Sequence, residues 1–134
     1  MSTLNVANIT DGTTTVGTSY VVNGSAKAWC NFDGTNTITT RDSFNVASLT
    51  DQGAGAYDIN FTNNMVNDDF TTSGSTNASS STANFSSNNF AAMGNGYPPM
   101  TGQTTSNTSA GSYVAGTGYV DAALCYVIVH GDLA

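Results

Sequence analysis

Few residues in this chain have the chemistry of a reactive site. His130 is the only histidine, and Cys125 lies five positions before it. A histidine beside a cysteine can activate a thiol nucleophile or supply two ligands to zinc. A zinc site needs three or four ligands, and the only cysteines are Cys30 and Cys125. An odd separation along a strand also sends two side chains to opposite faces, so Cys125 and His130 point apart. His130 reads instead as a strand-end histidine near a subunit contact.

Asp68 and Asp69 are the only adjacent acids, and Asp33 and Asp42 flank the first hairpin. Paired carboxylates serve glycoside hydrolysis or hold calcium. No calcium-loop spacing is present, and Asp is favoured in turns, so turn chemistry accounts for these residues. Lys27 and Arg41 are the only cations. A surface pair with Asp33 or Asp42 is expected, and such pairs contribute little. Serines are abundant, but there is no Gly-X-Ser-X-Gly elbow and no basic partner for a serine nucleophile. From Phe70 to Val120 there is neither a charged residue nor a histidine. Acid–base catalysis, metal binding and phosphate binding all need such groups. The expectation is a non-enzymatic scaffold or binding surface with no catalytic residue, metal or cofactor.

The totals narrow this further. The net charge of −7 disfavours nucleic acid and anionic membrane surfaces as partners. All nine acids are Asp, and the abundant Asn, Ser, Thr and Gly prefer caps, turns and strands to helices. At 39% hydrophobic residues a modest core is feasible, and a lone copy would be marginal. No apolar run reaches the roughly 18 residues of a membrane span, so no membrane insertion is expected. The first residues lack the basic and apolar regions of an export signal. In a reducing compartment Cys30 and Cys125 are expected as buried free thiols rather than a bridge.

The elements that would position these residues are strands. Residues 1–25 read as an extended N-terminal arm, with Leu4, Val6 and Ile9 as its first apolar side chains and turns at Asp11–Gly12 and Asn23–Gly24. Such a segment builds no core alone, so an ordered arm needs a partner chain. Residues 26–134 read as the body. Ala26–Phe32 alternates, Asp33–Asn36 is a turn, and Thr37–Thr40 is β-branched. Ser43–Thr50 and Ala56–Thr62 form the clearest hairpin, joined by a loop at Asp51–Gly55, with Tyr57, Ile59 and Phe61 on one face. Residues 74–111 are a variable, low-complexity loop region. Phe85, Phe90, Tyr97 and Tyr113 stand among small polar residues, a mixture that suits receptor contact as well as core formation. Tyr119–His130 closes the chain as its most hydrophobic strand, apolar on both faces after Asp121. A strand of that kind is buried on both. A second subunit is therefore expected to cover Tyr119, Leu124, Tyr126 and Ile128. The fold class expected is all-β, an antiparallel, jelly-roll-like β-sandwich.

Lys27–Gly34 (KAWCNFDG), Arg41–Asp51 (RDSFNVASLTD) and Gly55–Thr62 (GAYDINFT) together resemble a module of tailed bacteriophages. It is the C-terminal domain of tail-fibre and other virion fibre-like proteins, common in marine and cyanobacterial phages. Residues 27–70 carry the resemblance, and Val127–Asp132 is similar to the family's closing strand. The resemblance implies a non-enzymatic virion protein, β-rich and homotrimeric, assembled in the host cytoplasm. It implies a short fibre or knob used in host-surface adhesion, with phage tail or capsid proteins and a host surface glycan or protein as partners. Leu4, Val6 and Ile9 would dock on the virion. The alternatives are a capsid decoration protein bridging capsid subunits and, further off, a tailspike-like polysaccharide depolymerase.

Overall fold

A computed structural model of the chain describes residues 5–77, 102–114 and 118–134, and the backbone of 89–92. The described residues form an all-β protein with one short helix. The arm is not extended throughout. Strands β1 (Asn8–Thr10) and β2 (Thr15–Gly17) make an antiparallel hairpin, and helix α1 follows at Thr18–Gly24. The Asp11 carboxylate closes the hairpin turn by accepting from the Thr14 and Thr13 amides at 2.7 and 2.9 Å. Those bonds, Thr14's first, lower the Asp11 pKa.

Composition disfavours α1, and hydrogen bonds at its two ends support it: Thr18 donates to the Val6 and Ala7 carbonyls, and Lys27 holds the last turn. Lys27 donates from Nζ to the Val22 carbonyl and, at 3.2 Å, to the Ser25 carbonyl. A cation at a helix C-terminus satisfies open carbonyls and opposes the helix dipole. Tyr20, Val21 and Val22 therefore lie on a helix, where the sequence suggests extended chain.

The body opens with β3 (Ala28–Asp33) and β4 (Thr39–Phe44). Their turn is the expected one. Asp33 Oδ1 accepts from the Thr35 amide at 2.9 Å and its hydroxyl at 2.6 Å, and Asn36 takes a positive φ of 54°. The strand expected at Ser43–Thr50 is broken at Asn45, where φ is 56°. Asn tolerates this left-handed geometry better than most residues. Its side chain secures the corner, donating to the Lys27 carbonyl at 3.0 Å and accepting from the Asn63 amide at 2.7 Å. The chain thereby leaves one sheet and enters the other as β5 (Val46–Gly53). Only Ala54 and Gly55 connect β5 to β6 (Ala56–Phe61), a tighter loop than Asp51–Gly55 suggests.

The remaining strands are β7 (Thr71–Asn77), β8 (Asn89–Ala92), β9 (Asn107–Val114), β10 (Gly118–Tyr119) and β11 (Leu124–His130). One sheet runs β4-β3-β11-β7; the other runs β10-β9-β6-β5, with β8 also paired to β9. All the pairings are antiparallel.

The two sheets enclose one core. Ala28, Cys30 and Phe32 of β3 and Cys125, Val127 and Val129 of β11 meet Tyr57, Ile59 and Phe61 of β6. Phe32 packs edge-on to Tyr57 at 5.1 Å, and Phe61 to Phe70 at 5.6 Å. Toward β7 the contact between sheets turns polar, with Thr72 and Thr108 hydroxyls 2.9 Å apart. Hydroxyls paired this way are satisfied without water.

The closing segment is not one strand buried on both faces. Its start, β10, pairs with β9, and β11 lies in the opposite sheet between β3 and β7. Cys125, Val127 and Val129 are buried, while Tyr126 and Ile128 are exposed. Among the described residues only a single face of β11 finds a partner sheet.

Candidate functional site

The outer face of the β4-β3-β11-β7 sheet gathers several large apolar side chains that the core does not use. Directly opposed residues share a face of an antiparallel sheet, so the register fixes the rows. Phe44, Trp29, Ile128 and Ser73 form one row. Asp42, Asn31, Tyr126 and Ser75 form the next, and Leu124 opposite Asn77 extends it. Phe44 is 50% exposed, Ile128 43% and Tyr126 39%, while Trp29 and Leu124 are partly buried. Asp42 lies toward one rim and exposed His130, opposite Thr71, at one end.

One atom in this face stands out. Asn31 Oδ1 is buried and has no hydrogen-bond partner among the described residues. A buried acceptor without a donor costs about 1–3 kcal/mol. The face thus combines exposed aromatic and aliphatic surface with an unmet acceptor, which is the surface chemistry of a contact.

The structure brings together Leu124, Tyr126 and Ile128 from the residues expected at a subunit contact. Tyr119 is elsewhere, on β10 in the other sheet, where it packs edge-on to Tyr113 at 5.3 Å. Tyr113, a receptor-contact candidate, is 38% exposed. Leu4, Phe85 and Tyr97 and the side chain of Phe90 lie outside the described residues. Val6 and Ile9 are exposed at 39% and 48%. Trp29, Asn31 and Phe44 were not legible as site residues. Their alternation was visible, but only the pairing of β3 with β11 and β4 puts them beside Ile128 and Tyr126.

The titratable groups fall into separate places. Cys125 is buried and His130 exposed, on opposite faces of β11 as their spacing requires. Cys30 and Cys125 are both free thiols. Burial pushes Cys30 up to about 11 and Cys125 up to about 12. Such thiols are neutral and inert at ordinary pH. Arg41 donates to Asp33 Oδ2 at 2.9 Å and to the Ala123 carbonyl at 3.0 Å, tying β4 to the segment before β11. Asp33 is lowered, chiefly by the Thr35 hydroxyl, then by the Thr35 amide and Arg41. Asp68 and Asp69 are exposed.

Asp58 is the polar residue that sequence reasoning missed. It is 2% exposed, on the side of β6 opposite Tyr57 and Ile59. The Ser109 hydroxyl donates to its Oδ1 at 2.5 Å, and Gln52 Nε2 to its Oδ2 at 2.6 Å. It pins β5, β6 and β9 together. Its alternation with Tyr57 and Ile59 hinted at a different face, but nothing in the sequence announced that this face is covered too.

No helix among the described residues is long and apolar enough to cross a membrane. No group of three or more His, Cys, Asp or Glu suited to a metal occurs among the described residues. Comparison with protein-family models, with curated proteins and with solved structures returned no match.

Proposed function

We propose that the chain is a non-enzymatic bacteriophage virion protein, a short homotrimeric fibre or knob that adheres to the host surface. The observation that carries this reading is the outer sheet face. Phe44, Trp29, Ile128, Tyr126 and Leu124 lie side by side on it, with Asn31 Oδ1 unmet among them. Monomers rarely leave a contiguous apolar patch of this kind in water. Identical copies that share it remove the patch from solvent and leave loops and arms at the ends.

The resemblance of residues 27–70 to virion fibre domains supplies the setting. Val6 and Ile9, exposed in the arm, suit docking on tail or capsid proteins together with Leu4. Tyr113, exposed on β9, suits contact with a host glycan or protein together with Phe85, Phe90 and Tyr97. Three weak sites held rigidly then gain avidity without any new contact.

Two measurements test the proposal. The purified chain is expected to sediment at three times 13.7 kDa, about 41 kDa, with no detectable monomer at micromolar concentration. A well-folded monomer there removes the carrying argument. Gold-labelled antibody against the chain is expected at the tail of intact virions. Labelling spread over the shell instead makes it a decoration protein.

A further inference from the structure

The arm and the sheet face are two unpartnered apolar surfaces on one chain. Resting on the assembly reading above, we propose that helix α1 of each copy covers the outer sheet face of a neighbouring copy.

Helix α1 cannot sustain itself. It has 7 residues, well short of the roughly 12–15 that even a good helix former needs alone in water. Its Tyr, two Val, Asn and Gly are indifferent or poor helix formers. Gly17 at its N-cap makes no side-chain cap bond, no acid sits in the first turn, and none of its residues is buried. Among the described residues its own chain holds it only at its ends, Thr18 through the Val6 and Ala7 carbonyls and the last turn through Lys27 and Ser25. Tyr20 is 77% exposed, Val22 59% and Val21 46%. A helix this weak with three bare apolar side chains needs a surface to lie on.

The sheet face needs a cover of that kind. A fully buried aromatic hides roughly 150–250 Å². Half-exposed Phe44, Tyr126 and Ile128 therefore leave a few hundred Å², on the order of a functional patch. A standard interface buries about 800 Å² per partner, so this patch laid against its own copy falls short. Adding the three α1 side chains from a neighbour narrows the gap.

Charge selects the same occupant. Each chain carries −7, so copies repel one another at most surfaces. Helix α1 has no charged residue, and the charges of the face lie toward its edges, Asp42 at one rim and Asp33, paired with Arg41, at the end of β3. There is one α1 and one face per chain. A contact between two different surfaces is heterologous, and it closes into a ring when the rotation between copies allows. Three copies so linked leave no arm helix and no face unfilled.

Trp29 is the only tryptophan and lies in the face, so its fluorescence reports the cover directly. The full-length chain is expected to assemble, with a blue-shifted Trp29 emission protected from acrylamide. The full-length variant Y20S/V22S changes only exposed side chains. It is expected to keep its circular dichroism, lose the assembled species and expose Trp29 to the quencher. Ile128→Ser, which acts from the other side of the same contact, is expected to do likewise. If Y20S/V22S still assembles with Trp29 protected, the arm exchange is overturned while the homotrimer reading stands. If the unaltered chain is a monomer with quenchable Trp29, both are overturned.

Discussion

The arm and the body use the same residue types to opposite ends. Tyr57, Ile59 and Val127 of the body are exposed by 1%, 1% and 2%; Tyr20, Ile9 and Val22 of the arm by 77%, 48% and 59%. The apolar side chains are no greasier in one region than in the other. What differs is reach. The central strands of the body pair with strands from far along the chain, such as β3 with β11 and β6 with β9, and each sheet then closes over the other. Among the described residues the strands of the arm pair only with each other, through a hairpin of three residue pairs. A two-stranded hairpin has no second layer to bury against and is marginal alone. Burial is thus a property of long-range partners and not of the residues that are buried.

Breaking the body should cost far more than breaking the arm. Phe32→Ala empties a fully buried ring site against Tyr57 and is expected to lower unfolding stability by about 3–5 kcal/mol in urea titrations. Gly55→Ala is expected to cost about 1–3 kcal/mol through overpacking. Gly55 has a φ of +63°, and an added Cβ would lie 2.5 Å from the Ser112 carbonyl oxygen. Asp58→Ala leaves Ser109 and Gln52 without their acceptor and is expected to cost about 1–3 kcal/mol, read by thermal melting.

Two smaller effects sharpen the same contrast. Cys30 and Cys125 have folded pKa values raised to about 11 and about 12 from an ordinary 9.0. Their contribution to stability is complete below pH 9.0, where both states hold the proton, and is lost as pH rises toward those raised values. At pH 8 a thiol reagent should therefore label them only at the rate of unfolding; rapid labelling of the native protein would contradict their burial. The smallest effect belongs to the arm. Val6→Ser is expected to move the unfolding of the body by less than about 0.5 kcal/mol, as exposed sites generally do. A larger shift would mean that the arm is held by the fold.

Much of the body was legible because the signals were local. The alternation of Ala28, Cys30 and Phe32 gave β3, the Asp33 turn followed from its own side chain, and Tyr57, Ile59 and Phe61 declared the inner face of β6. The misreadings share a physical cause. Helix α1 depends on Lys27, the break at Asn45 depends on Asn63 and the Lys27 carbonyl, and the burial of Asp58 depends on Ser109. The partners of Asn45 and Asp58 lie 18 and 51 positions away, outside any window of neighbours, and Lys27, though close to α1, carries no local helix signal. The candidate face was half legible: Leu124, Tyr126 and Ile128 were named from the greasy closing strand, while Trp29, Asn31 and Phe44 entered through strand pairing.

By itself the sequence determined that this is a β protein of low charge, with little ionisable chemistry and more apolar surface at its close than one sheet can hide. Those properties follow from residue types and their period along the chain. Tertiary structure alone decided which side of β11 goes inward, that β10 and β11 part into different sheets, and that Asn31 Oδ1 has no donor among the described residues. A strand's own pattern offers two faces, and only the arrival of a second sheet on one of them makes the other a surface.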